Sequence, residues 1–307
     1  MDLKINTHKL PSRIKFFLEE IHDIIGEERF ILYGSTPIDL LLNKHSKIHD
    51  LDIAIKGIDK LRIRKCREKI KKQGFNIIEP LRKYYIHKNR EVILIYAKNN
   101  RLFLDIAFLD SLALIGHFNI EMLFFRYPQM DYVDKFKVLK SIKERKIRLV
   151  SDLGKENPHL LLGRFLRLCS KYEISLRGRK HRKILLDLKT KIQQWKITSD
   201  FHKNAHISCI SSLLKSIIQS HNKRLFVKIL IGTSILTTIF PELKRVVDIN
   251  RSELTKEISK ARKKRDVVTL FNGYLKSPEK KLFEKKIRAL KVRRWDRQDI
   301  ECSNCFG

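Results

Sequence analysis

The sequence predicts an α/β head built on a small mixed sheet, followed by an all-α neck and body. Three observations lead there. Apolar strand runs alternate with helical spacing over the first 150 residues, whereas only helical spacing follows. A Gly34-Ser35 pair stands in a turn between a strand and a helix. An Asp-x-Asp pair, Asp50 and Asp52, lies in the next strand.

Taken in order, Ser12 opens a helix whose Ile14, Phe17, Leu18, Ile21 and Ile24 share one face. Phe30–Tyr33 reads as a short buried strand, Pro37 to Asn43 as a helix and Leu51–Ile55 as a second strand. Residues 58–73 read as a basic helix stopped by Gly74. Three more strands are expected at Phe75–Ile78, Glu91–Ala97 and Leu102–Phe108, with Lys98 to Arg101 as the hairpin turn between the last two. Beyond the polar stretch Ser151–Pro158, helices are expected over Leu160–Tyr172, Ile210–Phe240, Leu254–Tyr274 and from Ser277-Pro278 to Val292. The expected organisation is an N-terminal helix in 1–29, a head in 30–150, a helical neck and body in 151–245, and a basic helical region in 246–307.

Charge narrows the function classes. The chain holds 66 Lys and Arg against 34 Asp and Glu, a net charge of +32. Residues 1–160 are net +10 and residues 161–307 net +22. Such an excess points to a polyanionic partner, with nucleic acid ahead of a membrane surface. No apolar run of about 18 residues exists, so no spanning helix is expected. The N-terminus lacks the features of a secretory signal. Five irregularly spaced cysteines argue against a disulfide framework and for a reducing, cytoplasmic setting. Cys302 and Cys305 lack the second pair that a structural zinc site needs, so they read as a tail.

The residues with most chemistry are three carboxylates. Alternation along a strand points Asp50 and Asp52 to one face. Asp105 sits in an apolar strand run of its own, where a lone charge is costly. Three gathered carboxylates repel one another unless cations lie between them, and oxygen ligands of this kind suit Mg²⁺ or Mn²⁺. Two such ions would activate an attacking hydroxyl and steady a leaving pyrophosphate. Gly34 and Ser35 would offer backbone N–H groups to phosphate oxygens.

Strand, Gly-Ser, helix, Asp-x-Asp strand and a distant strand Asp resemble the nucleotidyltransferase fold shared with DNA polymerase beta. More narrowly, the chain resembles the bacterial poly(A) polymerase and class II CCA-adding tRNA nucleotidyltransferase family. Leu32 to Ala54 follows that family's opening motif, and Val133 to Val150 its "Ile-Asp-Pro-Phe … Ile-Arg-x-Val" segment. Gly163 to Lys171 is similar to the neck helix, and Ile239 to Leu243 to a later helical segment. The resemblance implies that Asp50, Asp52 and Asp105 hold two metal ions and that Asp105 helps orient an RNA 3′-hydroxyl. Gly34, Ser35, Arg164 and Arg167 would then meet the nucleoside triphosphate. Arg164, Arg167 and Lys171 fall at spacings of three and four, on one helical face that would meet triphosphate or RNA, or simply face solvent.

The departures from the family cluster around nucleotide binding. Ile38 stands where the family has an Arg, and Asp110 where a basic residue is expected. The "Arg-Arg-Asp-Phe-Thr-Ile-Asn-Ala-Leu" motif falls on Gly116 to Leu123, where only the apolar residues Phe118, Ile120 and Leu123 remain. The neck motif that selects CTP and ATP is absent. Three readings follow: an RNA 3′-end nucleotidyltransferase using ATP, an RNA-binding scaffold derived from one, or a transferase with a non-RNA acceptor. Basic runs favour RNA, tRNA included: Arg177, Arg179, Lys180, Arg182 and Lys183, then Lys263 to Arg265, then Arg293 and Arg294 beside Trp295. Trp295 itself either stacks on a base or packs on a helix.

Overall fold

The computed structural model describes residues 12–25, 30–34, 36–41, 50–57, 59–77, 92–98, 103–109, 116–129, 131–151, 156–196 and 200–291. The chain divides into two compact units, Met1–Glu144 and Arg145–Gly307.

The first unit is a seven-stranded mixed sheet with helices. Its elements are α1 (Ser12–Ile25), β1 (Phe30–Tyr33), α2 (Thr36–Leu41), β2 (Asp50–Lys56), α3 (Lys60–Lys72) and β3 (Asn76–Ile77). There follow β4 (Val92–Lys98), β5 (Phe103–Leu109), β6 (Phe124–Tyr127), β7 (Asp131–Val133) and α4 (Val138–Lys143). The strand order is β3-β4-β5-β2-β1-β6-β7, and β2 with β5 is a parallel pair. The sheet faces differ sharply. Phe30 and Leu32, Leu51, Ile53 and Ile55, Leu104, Ile106 and Phe108, and Phe125 are all buried and share one face through their register. Burying that face accounts for the alternating pattern. The opposite face carries the buried Ile31, Ala54 and Ala107, with Asp52 and Asp105 at one end of their strands.

Local signals set the helix ends. The Asp59 side chain accepts hydrogen bonds from the Leu61 and Arg62 amides, capping α3. Gly74, at φ +78°, turns the chain out of that helix. Two strands were not anticipated: β6 and β7, a short hairpin clasped by an Arg126–Asp131 ion pair. The Lys98 to Arg101 turn lies mostly outside the described residues, yet β4 and β5 pair antiparallel from Lys98 and Phe103 outward, as such a hairpin requires.

The second unit is helical: α5 (Pro158–Lys171), α6 (Arg179–Gln194), α7 (Asp200–Gln219), α8 (Lys223–Gly232), α9 (Ile235–Ile239), α10 (Lys244–Lys260), α11 (Lys264–Tyr274) and α12 (Glu279–Lys291). Asn157 caps α5 by accepting from the His159 and Leu160 amides, and Pro158 takes the first helical position. A Cβ on Gly163 would come within 3.2 Å of the Ser212 side chain, so glycine lets α5 and α7 lie close. The expected helix 210–240 is three helices, broken where Asn222 caps α8 and where Ser234 takes a left-handed conformation. The expected 254–274 helix is the end of α10 plus α11, parted around Ala261. The α6 helix was not anticipated at all. Among the described residues no helix is long and apolar enough to cross a membrane.

A polar cluster lies inside this unit. The His206 ring meets the buried His159 ring edge-on at 4.8 Å. Nearby Lys286 donates to the buried Glu242 carboxylate at 2.6 Å. Burial first, then the Lys286 charge, lowers the His206 pKa to about 4, against an opposing pull from Glu242. The ring is therefore neutral in the fold, while the unfolded chain takes up its proton near the ordinary value of about 6.5. Stability from this site is full above about pH 6.5 and is lost as pH falls toward 4. The expected loss at pH 4.5 is on the order of 2 kcal/mol, and His206→Phe should flatten that part of a melting-temperature profile. An unchanged profile would contradict it.

Candidate active site

The site is built on central strands of the first sheet, on the face opposite Leu51, Ile53 and Ile55. Three elements converge there: the end of β1, β2 and β5. In the antiparallel β1–β2 pair Tyr33 stands opposite Asp52, and in the parallel β2–β5 pair Asp52 stands beside Asp105. Neighbours in register point to the same face, so the two carboxylates are adjacent and half-buried. They come from positions 53 residues apart in the sequence, brought level by strand pairing alone.

Gly34 follows Tyr33 at φ +70°. A Cβ built there would sit 2.1 Å from Oδ2 of Asp52. Both the backbone conformation and the space therefore demand glycine. The turn thus presses its backbone against one of the carboxylates. A backbone turn set against a carboxylate offers the group types that phosphate oxygens and a cation call for.

Asp50 begins β2 and pairs with Phe103. Its side chain and Ser35 lie outside the described residues, as do Asp110, Arg293, Arg294, Trp295, Cys302 and Cys305. Among the described residues no group of three or more His, Cys, Asp or Glu is gathered as a metal site. The Asp52–Asp105 pair and the Gly34 turn fit a Mg²⁺ or Mn²⁺ ion by donor type, since hard oxygen ligands at the end of a turn suit such cations.

The segment matching the degenerate nucleotide-binding motif serves structure. Phe118, Ile120 and Leu123 are fully buried. The Glu121 carboxylate accepts from the His117 and Phe118 amides at 3.0 Å each, closing a 3-10 turn over Asn119–Glu121. Asn119 donates to Ser141 Oγ at 2.8 Å. Ile38 is buried in α2 and takes no part in a charged surface.

In the second unit, Arg164, Arg167 and Lys171 lie on α5. Arg167 and Lys171 are exposed and Arg164 is half-buried. Lys171 Nζ sits 5.5 Å from the centre of the Tyr172 ring. Arg177, Arg179, Lys180, Arg182 and Lys183 are all exposed around the start of α6. Four of them line a shallow depression of about 430 Å³ with Leu186 and Asp187. The α6 N-cap is Gly178, with no capping side chain and no acid in the first turn, so its amides add to that positive field. Sequence reasoning found the basic run and missed the helix that displays it.

The Cys66, Cys169 and Cys209 thiols are free and buried, and burial raises each, those of Cys66 and Cys209 to about 12. At neutral pH they are unreactive packing groups.

The Gly34 contact makes a direct prediction. Gly34→Ala should destabilise the protein by about 1–3 kcal/mol through strain and clash. Pairing it with Asp52→Ala should recover part of that loss, a coupling above about 0.5 kcal/mol in a double-mutant cycle. Strict additivity would show that the two do not touch.

No family model matches the sequence. No curated protein matches it either. Solved structures do match. A CCA-adding enzyme in complex with CTP aligns with a TM-score of 0.61 at 14% identity, over 95% of this chain and 71% of that one. A tRNA-processing enzyme without ligand aligns with a TM-score of 0.60 at 17% identity, over 97% and 79%. The Thermotoga maritima CCA-adding enzyme complexed with tRNA aligns with a TM-score of 0.59 at 15% identity, over 96% and 71%. The chain therefore shares the fold of these proteins, a mixed-sheet head followed by a helical body.

Proposed function

We propose that this protein is a template-independent RNA 3′-end nucleotidyltransferase of the poly(A) polymerase or tRNA nucleotidyltransferase kind. The observation that supports it most is the register that sets Asp52 beside Asp105 under the Gly34 turn. In this reading the 3′-hydroxyl oxygen of RNA bonds to the α-phosphorus of ATP. The bond from that phosphorus to the bridging oxygen breaks, pyrophosphate leaves, and the hydroxyl proton passes through the carboxylates to solvent. Asp50, Asp52 and Asp105 would hold two Mg²⁺ or Mn²⁺ ions. When bound, these supply charge for the nucleophile and the leaving group. Asp105 also orients the hydroxyl. Gly34 and Ser35 receive the triphosphate through backbone N–H groups.

Cations of the second unit are assigned from the family resemblance, from the basic runs and, among the described residues, from their exposure. Arg164 and Arg167 are assigned to the triphosphate, and Lys171 to RNA. The depression lined by Arg177, Arg179, Arg182 and Lys183 is assigned to RNA phosphates, and so are Lys180, Arg293 and Arg294. Solved relatives by fold are described in complex with CTP, with ATP and with tRNA, which agrees with these partners. The expected setting is cytoplasmic. An RNA-binding scaffold is the second reading. It is favoured by the motif segment 116–123, where Glu121 is spent on two backbone amides.

Purified protein incubated with Mg²⁺, labelled nucleoside triphosphates and RNA separates the two. Incorporation is expected, with ATP preferred over CTP because the neck motif for CTP is absent. Asp52→Ala and Asp105→Ala should each lower incorporation by orders of magnitude while RNA affinity changes little. Replacing the 177–183 cations should do the reverse, weakening RNA binding and flattening its salt dependence. RNA binding without incorporation under any metal or nucleotide condition would overturn the enzyme reading.

A further inference from the structure

The α3 helix has eight Lys or Arg among thirteen residues against a single acid, Glu68. Its apolar residues Ile63, Cys66 and Ile70 are buried on one face. Lys60, Arg64, Lys65, Lys71 and Lys72 are exposed on the rest. The local acids are already engaged. Glu68 pairs with Arg64 at 3.0 Å, and Asp59 caps the helix and approaches Arg62 at 3.6 Å. Lys60, Lys65, Lys71 and Lys72 make no ion pair among the described residues.

Like charges four apart, at Lys60–Arg64, Lys65–Lys69 and Arg67–Lys71, disfavour this helix on its own. A polyanion laid along it removes that repulsion and releases its own counterions. We propose that the exposed face of α3 is a docking surface for the phosphate backbone of RNA. It would hold a part of the strand upstream of the reacting 3′ end. The helix is about 20 Å long, enough to span several phosphates of one strand. It has no aromatic residue and no Asn or Gln, so it reads charge and spacing with no base preference.

An anionic membrane fits less well. A helix lying in a lipid interface inserts its apolar face, and here that face is turned into the protein. Leu61 is the one apolar residue of α3 that is exposed. The α3 helix starts only four residues after β2, so the proposed surface belongs to the same unit as the aspartates. The proposal rests on the reading of RNA as substrate, but its test does not need catalysis.

The test compares the full-length protein with a Lys60→Gln, Lys65→Gln, Lys71→Gln, Lys72→Gln variant. Glutamine keeps the helix propensity while removing the charge. Binding is measured across salt for a long RNA and a short RNA that share one 3′ end. For the long RNA the dissociation constant should rise roughly tenfold or more, and the log–log salt slope should fall by about three. For the short RNA both should stay the same. Two double variants, K60Q/K65Q and K71Q/K72Q, should each show about half the slope change, which keeps the test if the fourfold variant unfolds. Unchanged affinity and slope on both RNAs would overturn the proposal. So would loss of binding to phosphatidylserine vesicles with RNA binding intact. If the variants lose long-RNA binding while wild-type protein incorporates no nucleotide, the docking surface stands and the catalytic reading falls.

Discussion

The parallel pairing of β2 with β5 is the constraint on which the rest depends. It sets Asp52 beside Asp105 and at the same time aligns Leu51, Ile53 and Ile55 with Leu104, Ile106 and Phe108 on the opposite face. A one-residue slip of either strand would exchange its faces, turning its large apolar residues to the other side and its aspartate in among Leu32, Ile53 and Ile106. Burial of one face therefore enforces the chemistry of the other. Two neighbouring carboxylates repel, and hydrophobic burial behind them opposes that cost. Gly34 adds a second restraint, since its backbone fills the space beside Asp52 that any side chain would claim.

The charge distribution complements that site. The Asp52–Asp105 pair is acidic, while α3 in the first unit and the start of α6 in the second present exposed cations. A polyanionic substrate held by distant phosphates can deliver one end to a carboxylate site that would repel it directly. The cations that the family resemblance leads one to expect are absent at Ile38 and in the 116–123 segment, which is a packed turn. In the proposed reading, holding substrate would fall to these basic surfaces instead.

Much of this was legible in the sequence, for physical reasons. β1 appears at its expected bounds because its apolar run lies between turn signals, with Phe30, Ile31 and Leu32 buried. The basic character of α3 and its stop at Gly74 were also legible, because capping chemistry is local. The β6–β7 hairpin escaped notice because its strands are four and three residues long, too short for alternation to stand out. The α6 helix was hidden by its own charge. Leu185, Leu188 and Ile192 form its buried stripe, but six Lys and Arg and an N-cap without a side-chain bond mask the usual start signal. The presence of the three aspartates could be read directly. Their register could not, because it depends on a pairing between distant segments. The fit of Gly34 against Asp52 had no sequence signal beyond the glycine itself.

The central claim is that Asp52 and Asp105 form one cation-binding centre for a nucleoside triphosphate. A crystal soaked with Mn²⁺ and a non-hydrolysable ATP analogue tests it through the anomalous signal of the metal. The account predicts Mn²⁺ within coordination distance, about 2.0–2.3 Å, of carboxylate oxygens from both residues, with triphosphate against the Gly34 turn. Mn²⁺ bound elsewhere with triphosphate, or triphosphate bound away from this site, would contradict it.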